Sequence, residues 1–437
     1  VISSIIFIIF LSAGVFLFTK NVKKIIRNIR LGKDTDRSDR PSERWMTMAR
    51  VALGQSKMVT RPTVAFFHFI IYAGFIIINI EVLEIIIDGI AGTHRIFSFM
   101  GSFYNFLIGS FEILALGVLV ACIVFLARRN ILKLKRFWMR EMTAWPRSDA
   151  NIILITEIAL MTFFLTMNAC DFILQNRGVD HYIKAGAFPI SSLYAGIFQN
   201  FSVNQLEMIE RTCWWAHIIG ILAFLNYVPY SKHFHIFLAF PNTYYSNLNA
   251  KGKFSNPENI TNEVKLMLDP SSVPPPADAN AAPQKFGAKD IFDLTWKQLM
   301  DAYSCTECGR CTSVCPANLT GKLLSPRKIM MDTRDRMEEV GKNIDKNKEF
   351  KDDGKTLLND YITPEELWAC TTCNACVEAC PVNIDPLSII VDVRRFIVME
   401  QSAAPTELNG MFTRIENNGA PWAYSPADRL NWTQDNS

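Results

Sequence analysis

Histidine is scarce in this sequence, with six among 437 residues, and excess charge is nearly absent, at a formal +3. So small an imbalance leaves no electrostatic footprint for nucleic acid. A secretory disulfide framework is absent too. Of eleven cysteines, Cys122, Cys170 and Cys213 are scattered through apolar segments, and the other eight fall in two tight groups. That is the arrangement of a metal site. Long apolar runs are missing after about residue 240, where the chain reads as a charged domain behind a polar linker. The first run starts at Val1 without Met, and it has neither a basic leader nor a small-residue cleavage site. It therefore reads as a membrane span and not a signal peptide, with residues expected before Val1.

What is present begins with five stretches long enough to cross a bilayer, which takes about 20 helical residues. They lie near 1–19, 62–88, 102–127, 151–172 and 208–240. Lys20–Arg61 carries twelve Lys and Arg and Arg128–Arg147 carries seven, whereas the alternate loops hold only Arg95, and Arg177 with Lys184. Positive-inside bias then puts the N-terminus outside and everything after about 240 in the cytoplasm, in the bacterial inner (cytoplasmic) membrane.

The few histidines are placed informatively. His68 lies two turns into the second span, His217 lies near the outer end of the fifth, and His233 and His235 lie at its cytoplasmic end. A helix over 208–240 would carry His217 and His235 on one face, since eighteen residues make five turns, with His233 pointing away, unless Pro229 kinks it. Intramembrane histidines are costly and suit haem iron. His68 with His235 forms the expected site of one haem b. A second haem on His217 stays open, because the outer half of the second span offers no histidine, and His94 and His181 read as loop residues. The alternative is that His217, His233 and His235 are capping or interfacial residues. Glu81, Glu84, Asp88, Glu112 and Glu157 also fall inside apolar segments. They serve either a proton route or quinone pocket, or structural hydrogen bonds between helices.

The clearest chemistry lies further on. Cys305-Thr-Glu-Cys308-Gly-Arg-Cys311-Thr-Ser-Val-Cys315-Pro316 and Cys370-Thr-Thr-Cys373-Asn-Ala-Cys376-Val-Glu-Ala-Cys380-Pro381 both match C-x2-C-x2-C-x3-C-P, with 54 residues between them. In two-cluster ferredoxins the fourth cysteine of each run ligates the other cluster. Cys305, Cys308, Cys311 and Cys380 therefore form one expected [4Fe–4S] set, and Cys370, Cys373, Cys376 and Cys315 the second. Zinc sites more often present separated cysteine pairs. A capping box at Thr363–Glu366 and a helix opened by Asp385-Pro386 point to a helical ferredoxin. The expected architecture is an all-α membrane bundle of five transmembrane helices (1–241), a Pro-rich linker (242–289), a mostly α-helical dicluster ferredoxin domain (290–405) and a partner-docking tail (406–437). In the linker, Asp269–Ala277 should form a semi-rigid, extended connector.

Both cysteine runs, and the phrase Leu367-Trp-Ala-Cys370-Thr-Thr-Cys373-Asn-Ala-Cys376 in particular, are similar to the C subunit of heterodisulfide reductase. The first 240 residues resemble the cytochrome b (gamma) subunit of respiratory nitrate reductase and the membrane subunit of heterodisulfide reductase. This resemblance implies an electron-transfer subunit of a membrane oxidoreductase. Electrons would pass between menaquinone, haem b, two [4Fe–4S] clusters and a cytoplasmic partner. Relatives of this kind usually carry cysteine-rich CCG domains; this chain has no such repeat, so the implied partner is a separate CCG-domain iron–sulfur subunit or an electron-transfer flavoprotein. No residue stands out as a nucleophile or acid–base catalyst on a non-quinone substrate. The competing readings are a haem-free membrane anchor and iron–sulfur wire docking a soluble dehydrogenase, and a redox sensor.

Overall fold

The computed structural model describes residues 2–269, 271 and 285–434. The described residues are mostly helical, and among them there is no strand, only two isolated bridges. Among the described residues five helices are long and apolar enough to cross a membrane: α1 (Ile2–Ile29), α3 (Pro62–Ala91), α4 (Ser102–Asn130), α5 (Trp145–Asn176) and α6 (Val203–Tyr227). The span that holds α6 is continuous to Tyr230, and mean hydropathy runs from 2.5 in α4 to 1.2 in this last span. A short α2 (Pro41–Met48) follows the first span. Within the five long helices proline occurs only in the first turn of α3 and α5, where its missing N–H is harmless. At about 1.5 Å per residue these helices exceed the ~30 Å hydrocarbon layer, so their ends project from it.

The bundle is closed by small residues. A Cβ on Gly89 would lie 2.7 Å from the ring of buried Phe7, so only glycine lets α1 and α3 approach there. Outward faces carry bare apolar side chains such as Phe66, Phe69, Phe103 and Phe106, as lipid contact requires. The chain is a multi-pass membrane protein.

The fifth span corrects the helix expected over 208–240. Ser202 opens it with a reciprocal capping box to Gln205, but α6 ends at Tyr227. Two 3₁₀ turns follow, Val228–Tyr230 and Lys232–Phe234, and a new helix, α7 (His235–Tyr244), starts at His235. Pro229 cannot donate the helical hydrogen bond and clashes with the preceding turn. The five-turn phase relation between His217 and His235 therefore does not hold. Nor does His233 point away: its ring centroid lies 5.5 Å from that of His235.

Beyond α7 the expected linker is partly structured. Asn242 is fully buried, donating to the Val382 carbonyl at 2.9 Å and accepting from Lys297 at 3.0 Å, and Glu258–Leu268 is helical. Most of the Pro-rich run lies outside the described residues. The second domain packs α8 (Trp296–Tyr303), α9 (Pro326–Asn347) and α10 (Pro386–Met399) around Leu299, Ile329, Met337, Leu367, Ile389 and Val393. Its caps follow the local sequence: Thr363 and Glu366 form their box, and Asp385 accepts from the Ser388 amide at 3.0 Å.

The two halves share one core. Ile25 of α1 and Val228 and Phe234 of the broken span belong to the same apolar cluster as α8–α10. The end of α1 runs into the second domain, where Asn28 donates to the Tyr303 hydroxyl at 2.9 Å and Lys24 pairs with Asp345 at 2.7 Å. By contrast α11 (Thr406–Asn418) buries no residue. The tail leaves Trp422, Tyr424 and Trp432 exposed.

Candidate functional site

The internal repeat is written into the backbone. Each cysteine loop turns through left-handed residues at matching positions, Glu307 and Gly309 in the first and Thr372 and Asn374 in the second. Glycine and asparagine are the residues that tolerate this conformation best. Gly309 is constrained twice over, because a Cβ there would also sit 2.5 Å from the Arg327 guanidinium. Backbone amides turn toward sulfur, with Thr372 N–H donating to Cys370 Sγ at 3.4 Å and Ile384 N–H to Cys380 Sγ at 3.2 Å.

The two cysteine runs lie close enough to act on each other electrostatically. Cys380 interacts electrostatically with Cys308 and Cys305, Cys311 with Cys308, Cys305, Cys380 and Cys376, and Cys315 with Cys370 and Cys376. Cys373, the eighth, is exposed beside Cys370. Among the described residues no three His, Cys, Asp or Glu side chains converge on a point as a single ion requires. A cubane, with iron at separate corners, needs its thiolates spread. Burial pushes the thiols of Cys305, Cys376 and Cys380 up to about 12, so they need a bound cation to ionise. This donor set fits two [4Fe–4S] clusters.

A ring of buried charge surrounds the first loop. Glu307, between Cys305 and Cys308, pairs with Lys232 from the turn before α7 and with Arg334 at 2.8 Å. Burial opposes its ionisation, yet those two cations hold its carboxyl below the usual carboxylate range. Arg327 is fully buried and donates to Glu141 at 2.7 and 3.2 Å, to the Arg136 carbonyl at 2.6 Å and to the Glu307 carbonyl at 3.4 Å. It thus bolts the α4–α5 connection to the cysteine loop. Arg310, between Cys308 and Cys311, donates to the Lys57 carbonyl at 2.9 Å and lies close enough to act electrostatically on His68. Arg394 holds the second loop through the Leu367 and Cys370 carbonyls.

Three of the four singled-out histidines come together. His68, His233 and His235 are half-buried near the junction and interact electrostatically, the His233 and His235 rings 5.5 Å apart. His235 Nδ1 lies 3.0 Å from the Lys232 carbonyl, and His68 Nδ1 is buried without a hydrogen-bond partner among the described residues. A carbonyl on Nδ1 leaves Nε2 for a metal, the usual outer contact of a ligating histidine. Imidazoles with an open ring nitrogen are the kind of donor that haem iron takes. His217 is not brought to another histidine; its Nδ1 meets the Leu160 carbonyl at 3.0 Å, and its ring packs near Phe164.

The buried carboxylates divide. Glu84 accepts from the Phe97 amide and the Tyr104 hydroxyl, Asp88 from the Arg95 and Ile96 amides, and Glu112 from the Ile190 and Ser191 amides. These are structural bonds that tie loops to the bundle. Glu81 Oε2 has no hydrogen-bond partner among the described residues, and Glu81 lines a small cavity of about 30 Å³ with Asp88, His94, Arg95, Asp171 and Glu210. Lys232, Arg327 and Arg334 escaped sequence reasoning because nothing near them in the chain marks them. Glu307 and Arg310 were legible only as residues inside the motif.

Residues 304–384 match the 4Fe–4S dicluster domain. The whole chain is similar to a probable iron–sulfur-binding oxidoreductase, FadF, of Bacillus subtilis, 28% identical over 99% of this chain and 61% of the relative. It is 27% identical to an EtfAB:quinone oxidoreductase of Syntrophomonas wolfei over 91% of this chain and 55% of the relative. Over 27% of this chain and 60% of the relative it is 33% identical to the C subunit of a ferredoxin/F420H2-dependent CoB-CoM heterodisulfide reductase of Methanosarcina acetivorans. The chain thus spans somewhat over half the length of these relatives. No solved structure matches it. The likeness to heterodisulfide reductase-type iron–sulfur proteins therefore holds, on a multi-pass membrane bundle.

Proposed function

We propose that this chain is the electron-transfer subunit of a membrane oxidoreductase that links the menaquinone pool to a cytoplasmic redox partner. Bound clusters and a b-type haem would supply one-electron chemistry; the chain supplies their ligands and surroundings. Cys305, Cys308, Cys311 and Cys380 hold one cluster, Cys370, Cys373, Cys376 and Cys315 the other, and His68 with His235 the haem, with His233 packed beside them. The observation that carries this reading is the junction. Both Arg310 and Glu307, inside the first cysteine loop, reach toward the bundle: Arg310 acts electrostatically on His68, and Glu307 pairs with Lys232, whose carbonyl lies 3.0 Å from His235 Nδ1. One buried contact region therefore joins the histidines to the first cysteine set.

Positive-inside bias supports a cytoplasmic second domain. The name of the Syntrophomonas relative favours an electron-transfer flavoprotein as the partner, with a CCG-domain protein as the alternative. The test is the optical spectrum of the full chain in its membrane, oxidised, then after a menaquinol analogue, then after dithionite. The expected result is one haem b per chain, reduced by the quinol. Two haems would bring His217 in as a ligand. Absence of haem from the membrane-embedded chain would reduce the bundle to an anchor and overturn the proposal.

A further inference from the structure

The α4–α5 connection and its flanks carry seven cations, and among the described residues none of them forms an ion pair. The one carboxylate in the stretch, Glu141, is taken by Arg327 at 2.7 Å. Four of the seven are held on two aromatic rings. Arg129 and Arg136 lie 4.5 and 4.8 Å from the Phe137 centroid, and Lys133 and Arg147 lie 5.3 and 3.9 Å from that of Trp138. Between this connection and the start of α3 is an opening of about 190 Å³ lined by Arg61, Pro62, Thr63, Val64, Arg128 and Arg136.

Three guanidiniums thus face one opening with donors to spare. Arg61 donates to Ser313 at 3.1 Å, Arg128 has no side-chain hydrogen bond among the described residues, and Arg136 Nε is buried without an acceptor. The thirty-residue α3 begins here with no side-chain cap, which adds the positive end of its dipole. The opening leads onto an apolar track. Phe66 and Phe69, 61% and 60% exposed, follow Pro62 at intervals of four and three on one face of the membrane-spanning α3.

We propose that this opening binds the phosphodiester headgroup of an anionic phospholipid, with an acyl chain lying along Phe66 and Phe69. Inorganic phosphate shares the anionic chemistry, but it would leave the track uncovered; the apolar approach favours the lipid. Basic pockets between transmembrane helices at a membrane surface are suited to such headgroups. The site abuts the cofactor region, since Arg61 bonds Ser313 in the first cysteine loop and the Arg136 carbonyl accepts from Arg327.

The experiment uses the full chain, delipidated in neutral detergent and offered phosphatidylglycerol or phosphatidylcholine, with bound lipid read by native mass spectrometry. Each cation near the surface contributes about 1 kcal/mol, or about fivefold in affinity. Wild type should prefer phosphatidylglycerol by about tenfold or more. The triple variant R61Q/R128Q/R136Q should lose the preference. R128Q alone, which touches no contact of the domain junction, should lower it about fivefold. Cluster absorption reports folding, and if the triple variant does not fold, R128Q decides. Equal retention of both lipids by wild type, or an unchanged preference in R128Q, would overturn the proposal. So would inorganic phosphate displacing phosphatidylglycerol at equal concentration, which would mark a free-phosphate site.

Discussion

Replacing Arg327 by Met would test whether the cysteine loop is bolted to the bundle. The side chain is fully buried and joins Glu141 and the Arg136 carbonyl on the α4–α5 connection to the Glu307 carbonyl in the first cysteine loop. Removing one partner of a buried ion pair costs about 3–5 kcal/mol, because the other charge stays buried and unpaired. Glu141 would keep the Ser325 hydroxyl at 2.6 Å, which argues for the lower end. About 3 kcal/mol is about two powers of ten in a local opening equilibrium. Native-state hydrogen exchange should therefore speed up about a hundredfold in 134–142 and 305–313, with α3 and α5 unaffected. R327M/E141Q should cost less than the sum of its parts, since both changes delete one contact. Exchange in the two segments altered by less than about twofold would refute the reasoning.

Gly309→Ala should selectively damage the first cluster. It forces alanine to a φ of 69° and drives a methyl into the Arg327 guanidinium, a strain of at least about 1–3 kcal/mol. Spin counting should show that signal reduced with the second intact. Cys380→Ala should remove the cluster of Cys305, Cys308 and Cys311, leaving about four of eight iron atoms per chain. Loss of the Cys370, Cys373 and Cys376 cluster instead would reverse the crossed assignment. The junction should also weaken in acid. Although burial opposes it, Arg327 and Ser325 hold the Glu141 carboxyl below its ordinary 4.5. A depressed folded value contributes stability that is complete above 4.5 and is lost as pH falls through the lower folded value. The melting temperature of the cluster domain should be flat from about pH 6 to 8 and fall below about 4.5. E141Q should flatten that fall, and a transition centred near neutrality would contradict the assignment.

How much of this was legible in the sequence depends on how local each signal is. The cysteine runs, the Thr363 box and the Asp385 cap are complete within a dozen residues, so spacing alone placed them. The five spans were legible from hydropathy. The His217–His235 relation was not, because it assumed an unbroken helix through Pro229. Nor could the carboxylates be sorted: the partners of Glu84 and Glu112 come from the loops at Phe97 and Ile190–Ser191, which periodicity on a single helix does not reveal. The junction charges Lys232, Arg327 and Arg334 become meaningful only once two distant segments meet at Glu307. Glu307 itself was in plain view between two cysteines, with nothing nearby to mark its partners.

The most direct test of the account is whether quinol electrons reach the clusters through the histidines. The full chain in its membrane, treated with a menaquinol analogue and followed by electron paramagnetic resonance, should show reduced [4Fe–4S] signals along with reduced haem b. In His68→Ala and His235→Ala the quinol should leave the clusters oxidised, while dithionite still reduces them. Cluster reduction by quinol at the wild-type rate in those variants would contradict the central claim.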